Sequence, residues 1–303
     1  MVVLLPGSVD NGLSIMRSEL ARAAELLRQP EPEKVDEALR LLQNTVFSFS
    51  MKVCGHREDA EETAQDVLMK SVRHLVKIES PSAMAVWLYK VARNHCWMSR
   101  RRSTFAPQET LSLDDLMPDV TELASLTSSA QEGAEHRVLR EENADLLREA
   151  VLRIPPKYRL VLVLHDMEEL DTAEVAKIAG LSENNVRVRL HRARLFVRKE
   201  LAKGRVSRAG GKVGSSRKPS NCREMFANLS EYIDRRIDDV TCERMAKHLD
   251  DCVPCKAFVQ SLERAVQRCR QYQVPGSAEN SERVRNLLKQ EYLKLLAQVE
   301  PNS

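Results

Sequence analysis

Residues 171–194 read DTAEVAKIAGLSENNVRVRLHRAR, and this stretch contains the most specific structural signals of the chain. Asp171 and Glu174 form a capping box, in which each side chain can satisfy a free backbone amide at a helix start. Gly180 follows this short helix and can adopt the left-handed conformation of a tight turn. Ser182 is placed to cap a second, longer helix. A short helix, a glycine turn and a second helix together predict a helix-turn-helix.

The second of these helices combines one apolar stripe with a basic remainder. Residues 183–218 hold twelve Lys or Arg against two acids, although the whole chain has a net charge of only +3. Such a block favours a nucleic acid or another polyanion as partner over the alternative, a solvated basic helix without a ligand. The amino-terminal part of a recognition helix faces base edges, and more distal arginines reach phosphates. The predicted buried stripe is Val186, Leu190, Ala193 and Val197; the predicted base-reading residues are Arg187, Val188 and His191; the predicted phosphate contacts are Arg189, Arg192 and Arg194.

Helical periodicity also dominates the rest of the 303 residues, so the predicted fold class is all-α. Apolar residues recur at three- and four-residue steps in 33–49, 58–76 and 83–102. The tract 107–135 has seven acids and no Lys or Arg, which predicts an acidic flexible linker. A last helix, 281–299, carries an apolar stripe. That stripe is expected either to pack between the two DNA-binding parts or to close the core of the domain before it.

Four soft-ligand residues lie in the last third of the chain at Cys-x25-His-x3-Cys-x2-Cys spacing: Cys222, His248, Cys252 and Cys255. A helix end, a turn and a helix start would bring the last three together, with Pro254 in the first turn of the second helix. Three thiolates and one imidazole suit a single tetrahedral Zn2+, although soft ligands also admit copper(I). The alternatives are structural cysteines without a metal and a redox Cys-x-x-Cys pair.

The composition narrows the function classes. The seven cysteines are an odd number, and Met1 to Leu5 is too short for a signal peptide, so reduced thiols in the cytoplasm are expected. No apolar run is long enough for a membrane span, so no membrane partner is expected. No nucleophile–base–acid constellation is present, so the chain is not expected to be an enzyme. Cys242 and Cys269 flank the metal-ligand cluster and are candidates for a redox switch.

Three blocks of sequence resemble known families. The segments LRIPPKYR (152–159), EVAKIAGLS (174–182) and VRVRLHRAR (186–194) look like region 4 of the extracytoplasmic-function (ECF) sigma factors of the sigma-70 family. DAEETAQDV (59–67) and WLYKVARN (87–94) are similar to region 2 of the same family. CRE (222–224), LSEYID (229–234) and HLDDCVPC (248–255) resemble the zinc-binding anti-sigma domains. The resemblance implies two small helical sigma domains joined by the acidic linker, followed by a small zinc-binding helical bundle.

The resemblance also implies roles for region 2, which in that family binds RNA polymerase and opens the downstream promoter element. The acidic face suited to polymerase is Asp59, Glu61, Glu62, Gln65 and Asp66. The residues implied to hold phosphates and a separated strand are Arg93, Asn94, Arg100 and Arg101. The expected boundaries are 1–32 for an N-terminal extension, 33–105 for region 2, 106–136 for the linker, 137–204 for region 4, 205–220 for a flexible basic tether, 221–273 for the zinc domain and 274–303 for the C-terminal helix.

Together these observations predict a sigma factor that binds core RNA polymerase and promoter DNA and carries its own zinc-binding regulator. In the anti-sigma family the domain blocks a sigma factor from outside, whereas here it would contact the sigma regions within one chain. Two alternatives belong to other classes. One is a stand-alone helix-turn-helix repressor with a structural zinc site, which would not bind polymerase. The other is a thiol oxidoreductase built on Cys252 and Cys255, which the helix-rich context disfavours.

Overall fold

The computed structural model describes residues 15–29, 31–78, 80–100, 110–118, 122–123, 139–209, 223–276 and 282–299. Over these ranges the chain forms helices and no strand, as predicted for an all-α protein. The chain divides into two compact units, Met1–Thr104 with Gln273–Ser303 and Phe105–Tyr272. No helix within the described ranges is long and apolar enough to cross a membrane.

The first unit is built around α2, which has Pro32 at its first turn and ends at Gly55 in the left-handed conformation, with φ 83°. Its buried positions include Val35, Leu39 and Phe49, on the apolar face that the sequence predicts. The helices of this unit are α1 (Ile15–Leu26), α2 (Pro32–Cys54), α3 (Arg57–Leu75), α4 (Pro81–Arg100) and α14 (Glu282–Val299).

Two helices of the first unit lie outside residues 33–105, the predicted region 2. The N-terminal extension contains α1, whose Leu20 and Ala23 are buried and which packs on α2. The C-terminal helix α14 packs on α2 and α3 within this unit. Tyr292 is buried there and its hydroxyl donates to the Leu27 carbonyl at 2.7 Å. An apolar stripe predicts that a helix is covered, but it does not say by what.

The second unit contains the helix-turn-helix. The capping box is formed by both predicted bonds, with the Glu174 amide donating to Asp171 at 2.8 Å and the Asp171 amide donating to Glu174 at 3.1 Å. Gly180 has φ 67° and ψ 43°, as the turn requires. The helices before and within this motif are α5 (Leu113–Leu116), α6 (Leu139–Arg153), α7 (Pro156–Leu162), α8 (Thr172–Ala179) and α9 (Glu183–Ala209), with a π-helical turn at Val163–Met167.

The zinc domain completes the second unit with four helices: α10 (Arg223–Ala227), α11 (Leu229–Ile233), α12 (Asp239–Asp251) and α13 (Val253–Gln271). Of these, α11 and α13 pack against α9, and α13 also packs against the π-helical turn. Asp238 caps α12 by accepting from the Thr241 amide at 2.9 Å. The rings of Phe226 and Phe258 pack edge to face in the core of this small domain, with 4.9 Å between their centroids.

Candidate nucleic-acid interface and metal site

The predicted recognition helix α9 is buried on two faces. The predicted stripe of Val186, Leu190, Ala193 and Val197 is confirmed, since all four side chains are buried. A second group on the same helix is also buried: His191, Arg194, Leu195 and Arg198. Of these, His191 and Arg194 are predicted from the sequence to contact DNA. Contacts from the zinc domain reach every member of this second group.

Arg194 lies at the centre of a buried ion-pair cluster. Its guanidinium donates to both carboxylate oxygens of Asp166 on the π-helical turn, at 2.6 and 2.8 Å. It also donates to both carboxylate oxygens of Asp234 in the zinc domain, at 2.8 and 2.9 Å. The side chains of Arg194 and Asp166 are fully enclosed, and that of Asp234 is 11% exposed. Arg194 therefore links the recognition helix to the π-helical turn of the same region and to the zinc domain.

Each charged group in this cluster stabilises the charged form of its partner. Burial by itself raises the pKa of Asp166, but the charge and hydrogen bonds of Arg194 outweigh it and hold that pKa well below its usual range. Burial likewise disfavours the charged form of Arg194, yet Asp166 and Asp234 raise its pKa above the ordinary value. Removing one partner from such a buried pair leaves an uncompensated charge, which costs about 3–5 kcal/mol.

His191 is the second polar side chain of α9 that the zinc domain encloses. Its Nδ1 lies 3.0 Å from the Ser230 hydroxyl, while its Nε2 is buried with no hydrogen-bond partner among the described residues. Burial, together with the positive charges of Arg194 and Arg192, lowers the pKa of His191 to about 4. The enclosed histidine is therefore neutral near pH 7.

Acidification is expected to weaken this enclosure. The ordinary pKa of 6.5 applies once His191 is exposed, so the open state binds more protons between pH 6.5 and about 4. The stabilisation is fully present above pH 6.5 and falls with pH, by about 2 kcal/mol at pH 5. Urea unfolding of the full chain at pH 7 and pH 5 measures this loss. The variant His191→Gln cannot titrate and should lose less; an equal loss in both proteins would contradict the assignment to His191.

Arg198 is the third polar residue of α9 that is held in place. Its Nε donates to the Ser261 hydroxyl at 2.9 Å, and its guanidinium carbon lies 4.1 Å from the centre of the Phe258 ring. It also pairs with Glu122 of the acidic tract at 2.5 Å. Burial lowers the pKa of Arg198, an effect that Glu122 opposes. Three separate parts of the chain therefore meet at this one side chain.

The start of α9 remains accessible. Val188 is 42% exposed, and Arg187, Arg189 and Arg192 are all partly exposed. Arg187 also pairs with Glu183 one turn earlier, at 3.4 Å. Base and phosphate contacts by these residues stay predictions. In this conformation the expected DNA contacts of His191 and Arg194 are not available, because both side chains are enclosed.

Three of the four predicted metal ligands converge. His248 lies in the last turn of α12, Cys252 lies between α12 and α13, and Cys255 lies in the first turn of α13. The Cys252 amide donates to the His248 carbonyl at 2.8 Å. Their ligand atoms all lie within 4.8 Å of one another. A tetrahedral zinc ion needs donors roughly 3.5–3.8 Å apart, so a small adjustment would bring them to bonding geometry. Cys222 lies outside the described residues.

The environment of these ligands fits a metal ion. The His248 Nε2 is buried and has no hydrogen-bond partner in the described chain, which is costly for a polar atom unless something binds it. Cys255 is 1% exposed and belongs to the apolar core that also holds Leu195 of α9. The metal-ligand cluster is therefore continuous with the core that covers the recognition helix.

The candidate redox switch is not supported at Cys269. This thiol is buried, and burial, with the nearby Asp166 carboxylate, raises its pKa above the ordinary value. A thiol that stays protonated is a poor nucleophile, so Cys269 is expected to be unreactive. Cys242 is partly exposed.

The predicted polymerase-binding residues lie along α3 of the first unit. Glu62 is exposed, and Asp59, Glu61, Gln65 and Asp66 are partly exposed. Asp66 contacts the His95 ring at 3.0 Å and Lys70 at 3.2 Å. For the predicted strand-holding residues, Asn94 on α4 is exposed and Arg93 partly exposed. The Arg100 side chain and all of Arg101 lie outside the described part.

Sequence patterns alone do not predict the residues that cover α9. Asp234 and Ser230 lie in LSEYID (229–234), which carries only the family resemblance, and Ser261 lies in no motif. The acidic tract, predicted to be a flexible linker, also contributes to the core. Within its described parts, Leu116, Met117 and Leu123 are buried in the core of the second unit. Apolar residues spaced among its acids were the available signal.

Comparisons with known proteins agree with this architecture. The family described as "Sigma-70 region 2" matches residues 39–105, "Sigma-70, region 4" matches 144–197, and the family described as "Putative zinc-finger" matches 222–256. Bacillus subtilis (strain 168) RNA polymerase sigma factor YlaC is 26% identical over 173 residues, covering 57% of this chain and 95% of that protein. The ECF RNA polymerase sigma factor SigM of the same organism is 28% identical over 160 residues, covering 53% and 90%.

A third relative, the ECF RNA polymerase sigma factor SigW of Bacillus subtilis (strain 168), is 21% identical over 188 residues, covering 61% of this chain and 98% of that protein. These relatives are matched over almost their whole length, and the matched regions occur here in the order region 2, region 4, zinc finger. The chain therefore belongs to the extracytoplasmic-function sigma factors of the sigma-70 family and carries a domain of that zinc-finger family fused behind region 4.

Proposed function

We propose that this chain binds core RNA polymerase, directs it to promoters, and is held inactive by its own zinc domain. Sigma factors are not enzymes in the catalytic sense, and we assign no catalysis to this chain. The observation that carries the regulatory part is the enclosure of Arg194 between Asp166 and Asp234. The same contact that buries this arginine brings the zinc domain against the middle of the recognition helix.

The proposed partners follow from this role. Arg187, Val188, Arg189 and Arg192 would contact promoter DNA, joined by His191 and Arg194 once the zinc domain moves away. In region 2, the acidic face of α3 would meet core polymerase and α4 the separated strand. One Zn2+, held by Cys222, His248, Cys252 and Cys255, would stabilise the zinc domain. RNA polymerase works in the cytoplasm, so we place the chain there.

Removal of the zinc domain is expected to activate the sigma factor. Ending the chain after Ala209 keeps α9 complete and removes Asp234, Ser230 and Ser261, the polar contacts on its second face. We expect at least about tenfold more initiation at specific sites, since loss of even one buried charge contact exceeds about 1.4 kcal/mol. Transcription of the encoding genome by purified core polymerase, with RNA 5′ ends sequenced, measures this.

The matched control ends after Tyr272 and removes only the C-terminal helix α14, keeping the zinc domain. If closure of region 4 by the zinc domain is the main restraint, this control stays well below the shorter chain. Equal activity of the full chain and the chain ending at Ala209 would mean that the zinc domain does not inhibit.

The stand-alone repressor is not supported. A repressor has no need of region 2, yet that region is matched before region 4, and the relatives are named as sigma factors. Co-purification with core polymerase distinguishes the two functions directly, because a repressor would not bind the core enzyme.

A further inference from the structure

Part of the acidic tract between the sigma regions is built into the zinc domain. Leu116, Met117 and Leu123 are each less than about 10% exposed. They share one apolar cluster with Phe258, Val259 and Leu262 of α13 and with Leu195 of the recognition helix. A linker that served only as a spacer would expose its few apolar side chains or lack them.

The polar contacts of this segment also lie between α9 and the zinc domain. Glu122 pairs with Arg198 of α9 at 2.5 Å, while Arg198 also donates to Ser261 of the zinc domain. The next residue of α9, Lys199, donates to the backbone carbonyl of Asp115. The buried arginine therefore has its carboxylate partner in the acidic tract, and its hydroxyl and aromatic partners in the zinc domain.

The segment thus lies where α9 and α13 meet, in a groove with one wall from each. The α13 wall provides Phe258, Val259 and Leu262, whereas the α9 wall provides Leu195 and the buried cation Arg198 that the segment contacts. Occupancy of the groove therefore stabilises the pairing of its two walls. Because the segment belongs to the same chain, its effective concentration at the groove is high and modest intrinsic affinity is enough to fill it.

We propose that α9 and the zinc domain form a peptide-docking groove whose occupant is the described part of the acidic tract, residues 110–118 and 122–123. Leu116, Met117 and Leu123 are the apolar anchors and Glu122 is the polar anchor. Docking of the segment locks the zinc domain onto region 4. As a mechanism of regulation this rests on the proposed function; the groove and its occupant can be tested without it.

The test uses the full chain and a fluorescein-labelled peptide with the sequence of residues 107–125. In the variant Leu116→Asp/Leu123→Asp the chain's own anchors cannot enter the apolar cluster, so the groove is left empty. We expect this variant to bind the peptide at least about tenfold more tightly than the unmodified chain, whose groove is filled, a difference of about 1.4 kcal/mol. Fluorescence anisotropy measures both affinities.

Two controls make the result specific. Ser112→Asp adds an acid at an exposed position of the same tract and should bind the peptide as weakly as the unmodified chain. A peptide of scrambled sequence should bind neither. The proposal is overturned if the double variant keeps its metal and helix content but does not gain affinity for the peptide, or if Ser112→Asp gains as much.

If the double variant loses its metal or its helices, a third variant tests the peptide-docking groove. Glu122→Lys places a second cation beside Arg198 without adding a charge to the apolar cluster. It should gain about threefold or more in affinity for the unmodified peptide, and no gain would reject the proposal. Peptide binding needs neither polymerase nor DNA, so a chain that binds the peptide but never directs initiation would refute the proposed function alone.

Discussion

Replacing Asp234 with lysine is expected to release region 4 from the zinc domain while both remain folded. The substitution removes a carboxylate that accepts from Arg194 at 2.8 and 2.9 Å and puts an ammonium group beside Arg194 and Arg270. Loss of one partner of a buried pair costs about 3–5 kcal/mol. The ratio of open to closed chain should therefore rise by about two to four orders of magnitude.

Asp234 is a better target for this test than Arg194. Arg194 also donates two hydrogen bonds to Asp166, which join the recognition helix to the π-helical turn of region 4. A change at Arg194 would damage the DNA-binding unit itself, whereas a change at Asp234 leaves the Arg194–Asp166 pair in place. The two substitutions are therefore expected to have opposite effects on transcription.

Initiation from templates used by the chain ending at Ala209 measures the release. The full chain with Asp234→Lys should approach the activity of that shorter chain. Glu243→Lys makes the same change of charge on an exposed part of α12 and should leave activity unchanged. If both variants behave like the unmodified chain, the ion pair does not hold region 4 closed.

The helix-turn-helix was predictable because its determinants are local. The capping box, Gly180 and the stripe from Val186 to Val197 act over a few residues, so sequence spacing alone specifies them. The same holds for His248, Cys252 and Cys255, since two adjoining helix ends bring them together. For the fold class and these parts of the candidate site, the sequence contained enough information.

The second buried face of α9 was not predictable in the same way. Periodicity identifies apolar positions, but Arg194 and His191 are polar, and their burial depends on partners 40 and 39 residues away. A basic residue on a helix-turn-helix suggests a phosphate contact when its carboxylate partners are unknown. The composition of 107–135 has the same limit: its seven acids predict a solvated linker, although Leu116 and Leu123 of this tract are buried in the core.

Loss of the metal ligands is expected to have the other large effect. If the domain holds the one ion per chain that we propose, the variant Cys252→Ser should lower the metal content to nearly none and unfold α10 to α13. Structural zinc contributes about 10–16 kcal/mol in zinc-finger peptides, which is more than such a domain can otherwise supply. Elemental analysis and far-ultraviolet circular dichroism measure the two losses.

This change should also activate transcription, because the domain that contains the metal ligands is the same domain that encloses the second buried face of α9. Cys255 lies in the same apolar cluster as Leu195 of the recognition helix and Leu116 of the acidic tract. Unfolding of the zinc domain therefore removes every contact that this domain makes with the second face of α9. Cys242→Ser, at a partly exposed thiol outside the ligand cluster, should retain the metal and stay inactive. A metal-free Cys252→Ser chain that remained as inactive as the unmodified chain would show that closure of region 4 does not depend on the metal.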